Sequence, residues 1–166
     1  MHQLTIDIAK YLLIVPVLIV VLVWVFQKKW SDRIRMATLL VCGGLLAILL
    51  AKVAGHFFYD TRPFVAGHFK PWTPHAADNG FPSDHTLLAA FLTYVVTVYS
   101  WRWGLVSLAC AIAIGAARVI IGVHHITDII GSFVIAGAGF LLGKWIVRAA
   151  PRLYRRNSTG QSNETS

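Results

Sequence analysis

An arginine, a histidine and an aspartate stand in the pattern R-x5-H-x3-D at Arg118, His124 and Asp128. If a helix begins here, the i, i+4 spacing lets the Asp128 carboxylate accept a hydrogen bond from one ring nitrogen of His124. The other ring nitrogen is then free to attack an electrophile, as in a catalytic triad whose nucleophile is the histidine itself. A lone His-Asp pair is more often structural than catalytic, so the rest of the chain must decide between the two.

A second polar segment, 81–85, directly precedes an apolar run and has the composition of a helix start. Ser83 is the candidate N-cap, and the free N–H groups and dipole of a first helical turn form a site for an anion. Capping explains Ser83 or Asp84 but not His85, because a protonated imidazole is disfavoured at a helix N-terminus. A bound phosphate would reverse that preference.

The third segment contains Lys52 and the dipeptide Arg62-Pro63. A lysine near the end of a membrane helix can simply extend its ammonium group to the lipid headgroups, so Lys52 alone is ambiguous. The Arg62 guanidinium can hold phosphate oxygens through two parallel hydrogen bonds, and Pro63 stiffens the chain that presents it. The segment therefore predicts a cationic site for an anion.

The chain that must position these segments has 166 residues, of which 57% are hydrophobic and only 13% charged, and its mean hydropathy is +0.65. Soluble domains carry about 25% charged residues, so this composition predicts a membrane protein. The net charge of +8 comes from basic residues beside apolar segments. That placement indicates membrane topology and argues against a nucleic-acid partner.

Five apolar stretches predict transmembrane helices, since a span needs roughly 20 apolar residues. They cover residues 4–26, 36–58, 85–99, 103–121 and 128–149. The sequence therefore predicts an all-α, polytopic membrane helix bundle with about five transmembrane helices, forming one domain over residues 1–156. Residues 157–166 are polar and cannot bury apolar area, which predicts a disordered tail.

The basic residues also predict the orientation of the bundle. The loop 27–35 and the arginines after the last span should be cytoplasmic by the positive-inside rule. With five spans, the long segment 59–84 and the short segment around His124 then share the outer face, and the carboxyl terminus is cytoplasmic. We therefore predict an active site on the outer face, where the three polar segments meet.

Together the three segments supply oxyanion binding, an attacking group and a proton donor, which are the requirements of phosphoryl transfer. An alternative from another class is a transporter or channel that binds an anion in passing. Such a protein should carry charges along a path through the bilayer, whereas here they gather at one surface. The pattern therefore favours an enzyme.

The three segments, in order, resemble the motifs of the type 2 phosphatidic acid phosphatase superfamily. These motifs are a Lys to Arg-Pro segment, a Pro-Ser-x-His segment and an Arg-x5-His-x3-Asp segment. The local variants at 62–64, 75–85 and 122–124 are most similar to the bacitracin-resistance branch, the undecaprenyl pyrophosphate phosphatases. The resemblance extends from Lys52 to Asp128.

This resemblance implies roles for the motif residues. His124 would form a phosphohistidine, Asp128 would orient it, and His85 would protonate the leaving group. The remaining motif side chains would bind phosphate oxygens; these are Lys52, Arg62, Ser83 and Arg118. Asp84 and Asp78 would have supporting roles, by tuning His85 or positioning the loop.

The resemblance also implies a polyprenyl pyrophosphate lipid as substrate, surrounding membrane lipids as partners, and a bacterial plasma membrane with the site facing the periplasm or cell exterior. No metal or other cofactor would be required, and the outer loops contain no carboxylate cluster suited to magnesium. Phosphatidylglycerol phosphate or phosphatidic acid remains an alternative substrate for the same residues. The sequence does not specify an oligomeric state.

Three features depart from the superfamily pattern. Asp84 stands where glycine is frequent, Ala117 precedes Arg118 where serine is common, and Lys52 lies farther from Arg62 than is usual. The outer segments also carry four histidines outside the motifs, for which interfacial hydrogen bonding is favoured over metal binding. These are His56, His68, His75 and His125.

Overall fold

The computed structural model describes residues 2–161, with side chains described as far as Ala149. Within that part of the chain the structure is helical apart from its connections and an isolated bridge between Thr61 and Asn79. The helices are α1 (His2–Tyr11), α2 (Ile14–Val25), α3 (Trp30–Phe57), α4 (Pro63–Ala66), α5 (Asp84–Tyr99), α6 (Trp101–Ile120) and α7 (Ile126–Gln161). The predicted all-α bundle is confirmed. Helix α7 continues to Gln161 and so includes residues 157–161 of the predicted tail. Residues 162–166 lie outside the described residues, and their disorder stays a prediction.

Four helical segments in the described part of the chain are long and apolar enough to cross a membrane. They are His2–Val25, Trp30–Phe57, Trp101–Ile120 and Ile126–Ala149. Their outward faces carry exposed aliphatic side chains, which hydrocarbon rather than water would accommodate. The chain is therefore a multi-pass membrane protein, as its composition predicts.

The predicted span over 85–99 is the shorter central helix α5. Its 16 residues extend about 24 Å, less than the roughly 30 Å of a hydrocarbon core. Nine of those residues are buried, and α5 contacts α2, α3, α6 and α7. Because protein surrounds α5 on most sides, its length need not match the thickness of the bilayer.

The first span is divided into α1 and α2 at Leu12 and Leu13. Pro16 lies four residues after Leu12, where its ring removes one backbone hydrogen bond and crowds the carbonyl of the preceding turn. The Leu12 carbonyl accepts instead from the N–H of Val15, at 3.0 Å. A proline inside an apolar run therefore accounts for the break.

Helices α3 and α7 approach closely because glycines occupy their contact. A Cβ added to Gly139 would lie 2.6 Å from the Cα of Ala47, and one added to Gly143 would lie 2.6 Å from the Cα of Gly43. Small residues allow membrane helices to make this close contact. The contact fixes the carboxyl end of α3 beside the start of α7.

The ends of four helices and the segment 59–83 meet at one face of the bundle. The carboxyl ends of α3 and α6 lie there beside the amino ends of α5 and α7. The Arg62 guanidinium spans the two polar segments by donating from Nη1 to the carbonyl of Val123, at 3.0 Å. The structure thus brings the segment 59–83 and the segment around His124 to the same face, as the sequence predicts.

Candidate active site

A cavity of about 420 Å³ opens at this face of the bundle. It is lined by polar side chains from α3, from the 59–83 segment and from the ends of α5, α6 and α7. Seven of the nine predicted site residues are among them. These are Lys52, Arg62, Asp78, Asp84, His85, Arg118 and His124. Ser83 and Asp128, the other two, are fully buried beside it.

His124 and Asp128 form a buried pair at the start of α7. The His124 Nδ1 lies 3.2 Å from Oδ2 of Asp128, as the i, i+4 spacing predicts. The same carboxylate oxygen accepts from the backbone N–H of His125 at 2.8 Å. Only 2% of His124 and none of Asp128 is exposed. The carboxylate therefore fixes the ring in one orientation.

The other ring nitrogen of His124 faces two arginines. Its Nε2 lies 3.3 Å from Nη2 of Arg118 and 3.5 Å from Nη1 of Arg62. A guanidinium group can only donate hydrogen bonds, so Nε2 is the acceptor and carries no proton. The proton then resides on Nδ1 and is donated to Asp128. The tautomer places an unprotonated nitrogen among positive charges, as attack on a phosphate requires.

Arg62 is held by an ion pair and by backbone carbonyls. Its Nε donates to Oδ1 of Asp78 at 2.8 Å, and its Nη2 lies 3.4 Å from the carbonyl of Asn79. That hydrogen bond lowers the pKa of Asp78 below its ordinary value, so Asp78 is ionised at neutral pH. The predicted positioning role of Asp78 therefore has a specific partner, which is Arg62.

Ser83 occupies the N-cap position of α5, as predicted, but its side chain makes no capping hydrogen bond. Its Oγ accepts instead from Oγ1 of Thr86 at 3.2 Å, and its carbonyl accepts from Oγ of Ser132 at 3.0 Å. The prediction of a side-chain cap is wrong because the Thr86 hydroxyl takes the place of a backbone N–H. Ser83 thereby joins the starts of α5 and α7.

Sequence reasoning missed the role of His75. Its Nε2 lies 2.9 Å from Nη2 of Arg118, and the donor-only character of arginine makes His75 the acceptor. Burial, followed by the positive charge of Arg118, lowers the pKa of His75 below its ordinary value of 6.5. His75 is therefore neutral at pH 7 and orients Arg118. The expected hydrogen bonding is observed for this residue.

We expect His75 to titrate below pH 6.5 in nuclear magnetic resonance spectra of histidine-labelled protein. The neutral ring accepts from Arg118 above its pKa; as the pH falls through that value, the ring gains a charge that repels the guanidinium. Arg118→Gln should raise the pKa of His75 toward 6.5. Arg102→Gln, at the opposite end of α6, should leave it unchanged. A wild-type His75 that titrates at or above 6.5 would contradict this contact.

Asn79 was also missed, although it joins the 59–83 segment to α3. Its Oδ1 accepts from the backbone N–H of Asp60 at 2.9 Å and of Phe81 at 3.0 Å. Its Nδ2 donates to the carbonyls of Gly55 at 2.7 Å and Phe58 at 3.1 Å. All the hydrogen-bonding capacity of the amide is thus used. Only its place between Asp78 and the 81–85 segment could have drawn attention to it.

Asn79→Asp should lower the free energy of unfolding by about 1–3 kcal/mol. The substitution keeps the volume and one acceptor but places a carboxylate against the two carbonyls that Nδ2 now serves. Thermal unfolding in detergent measures the effect. Gln27→Glu, an amide-to-acid change in the connection between α2 and α3, is the control and should change stability by under about 0.5 kcal/mol. Equal stability of Asn79→Asp and wild type would show that these bonds do not hold the segment.

Residues 35–152, more than half of the chain, match the PAP2 superfamily. The chain belongs to that superfamily. Undecaprenyl-diphosphatase BcrC of Bacillus subtilis is 28% identical over 138 residues, which cover 82% of this chain and 69% of that protein. Lipid A 1-phosphatase of Rhizobium etli is 34% identical over 124 residues, which cover 72% of this chain and 49% of that protein.

A solved PAP2 structure supports the same fold. The PAP2-type phosphatidylglycerolphosphate phosphatase of Bacillus subtilis superposes with a TM-score of 0.59 at 24% identity, covering 91% of this chain and 76% of that chain. The match over residues 35–152 confirms, at the level of the superfamily, the resemblance inferred from the three motifs. The similarity to BcrC supports the bacitracin-resistance branch.

A second His-Asp pair lies beside the PAP2 motif residues. The His125 Nδ1 lies 2.9 Å from Oδ2 of Asp60, and the Thr127 hydroxyl lies 3.5 Å from the same oxygen. Asp60, His125 and Asp128 each place a potential metal ligand within 4.8 Å of the others. Hydrogen bonds engage the His125 ring and Oδ2 of Asp128, whereas Oδ1 of Asp128 is buried with no hydrogen-bond partner among the described residues. Metal independence of the reaction stays a prediction.

Proposed function

We propose that this chain is a membrane phosphatase that converts undecaprenyl pyrophosphate and water to undecaprenyl phosphate and inorganic phosphate. The observation that carries the proposal is the environment of His124, whose Nδ1 faces Asp128 and whose Nε2 faces Arg62 and Arg118. BcrC, a relative, is named as an undecaprenyl-diphosphatase, which supports a lipid pyrophosphate as the substrate class.

In the first step, Nε2 of His124 attacks the terminal phosphorus. A phosphorus–nitrogen bond forms while the bond from that phosphorus to the bridging oxygen breaks. His85, which lines the same cavity, donates a proton to the departing oxygen, and undecaprenyl phosphate leaves. The ring retains its Nδ1 proton and becomes positively charged, so the carboxylate of Asp128 stabilises the phosphohistidine.

In the second step, water attacks the phosphohistidine. His85, now neutral, accepts a proton from the water as the new phosphorus–oxygen bond forms. The phosphorus–nitrogen bond breaks, its electron pair returns to Nε2 of His124, and inorganic phosphate is released. The site thereby returns to its starting protonation state, and the sequence of bonds requires no metal or other cofactor.

The two arginines change partners when a phosphate binds. In the structure they donate to Nε2 of His124, and in the complex the phosphate oxygens replace that nitrogen as acceptors. The Nε of Arg118 is buried and has no hydrogen-bond partner among the described residues. An unpaired buried donor of this kind is costly. A bound phosphate oxygen would satisfy it and would bring phosphorus to the nucleophile.

The remaining site residues complete the phosphate pocket. Lys52, on α3, supplies a third cation at the rim of the cavity, and the Ser83 hydroxyl has a proton to donate to a phosphate oxygen. Asp84 lies beside His85 at the start of α5, and both line the cavity. Asp78 keeps Arg62 in place through their ion pair.

This pocket lies on the outer face of the plasma membrane in the proposed orientation. The basic loop between α2 and α3 and the arginines after Ala149 mark the cytoplasmic face. The carboxyl terminus is therefore cytoplasmic, and the substrate headgroup reaches the pocket from the periplasm or the cell exterior. Labelling of single cysteines introduced at position 77 or 29 with a membrane-impermeant maleimide tests this, and labelling of position 29 alone in intact cells would contradict it.

Phosphate release from a panel of lipids tests the reaction. Purified protein in detergent with EDTA should hydrolyse undecaprenyl pyrophosphate at least tenfold faster than phosphatidylglycerol phosphate, phosphatidic acid or lipid A 1-phosphate. A faster reaction with one of these monophosphates would move the assignment to that lipid, whose phosphate the same residues can bind. No release from any lipid would contradict a phosphatase and favour anion transport. Loss of release in EDTA, restored by a metal, would contradict metal independence.

A further inference from the structure

A second cavity joins the phosphate pocket and runs from it between α3 and α5. Its volume is about 720 Å³. Four residues line both cavities, namely Ile48, Lys52, Asp84 and Leu87. We call this second cavity the α3–α5 groove. A molecule whose phosphate occupies the pocket can therefore continue into the groove without leaving the protein surface.

The groove is apolar except at the end that meets the phosphate pocket. Lys52 and Asp84 are the only charged residues among those that line it, and both stand at the shared end. Away from them, Leu45 on α3 and Leu88 on α5 are exposed toward the surrounding lipid. From Lys52 to Leu40 the α3 wall extends about 18 Å along the helix axis. This polarity fits an amphiphile with its charged head at Lys52 and its tail in the hydrocarbon.

Gly44 gives the groove its depth. It is half-buried in the wall formed by α3, and a Cβ added there would meet the ring of Phe91 at 3.5 Å, an ordinary van der Waals distance. A Cβ therefore fits at this position, and a larger side chain would extend into the groove that Gly44 lines. The neighbouring Gly43 faces the core instead, where an added Cβ would lie 3.1 Å from Phe91.

A rival groove between α6 and α7 does not reach the phosphate pocket. Its volume is about 430 Å³, and it shares no lining residue with that pocket. It adjoins a cavity of about 670 Å³ on the other side of His124, whose lining residues include no lysine or arginine. A phosphate on that side would lack the cations that the chemistry needs, which selects the α3–α5 groove.

We infer that the α3–α5 groove binds the polyprenyl chain of the substrate and directs its pyrophosphate to His124; this rests on the proposed function. The chain is already dissolved in hydrocarbon, so moving it from lipid to the groove gains little hydrophobic free energy. The groove acts by orientation. Contacts remote from the reacting atoms then hold the terminal phosphorus in line with Nε2, and their loss lowers kcat.

Gly44→Leu tests the groove by filling it. We expect kcat/KM for undecaprenyl pyrophosphate to fall at least tenfold, and kcat/KM for a pyrophosphate with a single isoprene unit to change less than twofold. Gly137→Leu is the matched control, because Gly137 is also a half-buried helical glycine beside an aromatic ring, with an added Cβ 3.6 Å from Tyr94. It lies outside the lining of the groove, so both substrates should react as in wild type.

Three results would overturn the inference. They are equal loss with both substrates, no loss with either, and the same selective loss in Gly137→Leu. If wild type hydrolyses neither pyrophosphate, the proposed function itself fails and the groove inference fails with it. If wild type hydrolyses both pyrophosphates and Gly44→Leu lowers both rates equally, the groove inference fails while the proposed function stands.

A photoreactive polyprenyl monophosphate provides a measurement that does not depend on turnover or on the folding of the glycine variants. The product-like probe should crosslink to wild-type protein at residues 40–48 or 87–92, on the two walls of the groove. Crosslinks at 112–116 or 129–133, in the rival groove, would overturn the assignment. A groove filled by bilayer lipid would give no crosslink on either wall and would overturn it equally.

Discussion

His124→Ala is expected to reduce phosphate release by about 10⁴-fold or more, the magnitude associated with loss of a covalent nucleophile. His125→Ala should reduce it less than tenfold. The two histidines are adjacent, and each ring bonds an aspartate, so sequence and pairing alone do not separate them. Their surroundings do, because His124 is buried against two guanidinium groups whereas 41% of the His125 side chain is exposed.

The same pair of variants tests the intermediate directly. After rapid mixing with substrate labelled at the terminal phosphate, quenched wild type and His125→Ala should carry protein-bound label, and His124→Ala should carry none. Both variants should show the wild-type elution profile and thermal transition in detergent. Label retained on folded His124→Ala would move the nucleophile elsewhere. Equal losses in the two variants would contradict the assignment of His124 alone.

Asp128→Asn has the second-largest expected effect, a fall in kcat of about 10²–10⁴-fold, as when a triad carboxylate is replaced by its amide. Phosphorylation of Nε2 makes the His124 ring positive while Nδ1 keeps its proton. A fully buried carboxylate at 3.2 Å stabilises that charge, and an amide does not. The amide can also turn its own N–H group toward Nδ1 and favour the tautomer whose proton is on Nε2.

Asp60→Asn is the matched control for Asp128→Asn. Asp60 bonds His125 in a half-exposed pair, of the kind that contributes up to about 1 kcal/mol, so kcat should change less than tenfold. Single-turnover phosphate release measures the chemical step in both variants. Equal losses would show that Asp128 has no role beyond that of any carboxylate near the start of α7.

The opposed demands on Asp128 and Arg118 explain why the site is built from helix ends. Each side chain must be buried to act strongly on His124, yet a buried charge requires partners. The backbone N–H of His125 supplies one for Asp128, and the neutral ring of His75 supplies one for Arg118. The N–H of His125 is available to Asp128 because the N–H groups at the start of a helix have no partner within the helix.

The sequence by itself determined the membrane bundle and most of the candidate site. Long apolar runs have few stable structures in hydrocarbon other than helices, so composition predicts the fold class. The i, i+4 spacing of His124 and Asp128 is a property of one helix, and the 3.2 Å contact follows from it. Basic loops and the number of spans placed Arg62 and Arg118 on the same face as His124.

Tertiary structure decided what depends on contacts between distant segments. His75 bonds Arg118, 43 positions away in the sequence, and Asn79 bonds Gly55, 24 positions away. No local sequence pattern predicts either contact. The Ser83 hydroxyl is taken by Thr86 rather than by a backbone amide, which depends on side-chain orientation within the turn. The α3–α5 groove is lined by residues of two helices that are separate in the sequence. The spacing of residues along one helix is fixed by helix geometry. Contacts between separate helices and loops are fixed by packing, and packing depends on more than one segment of the sequence.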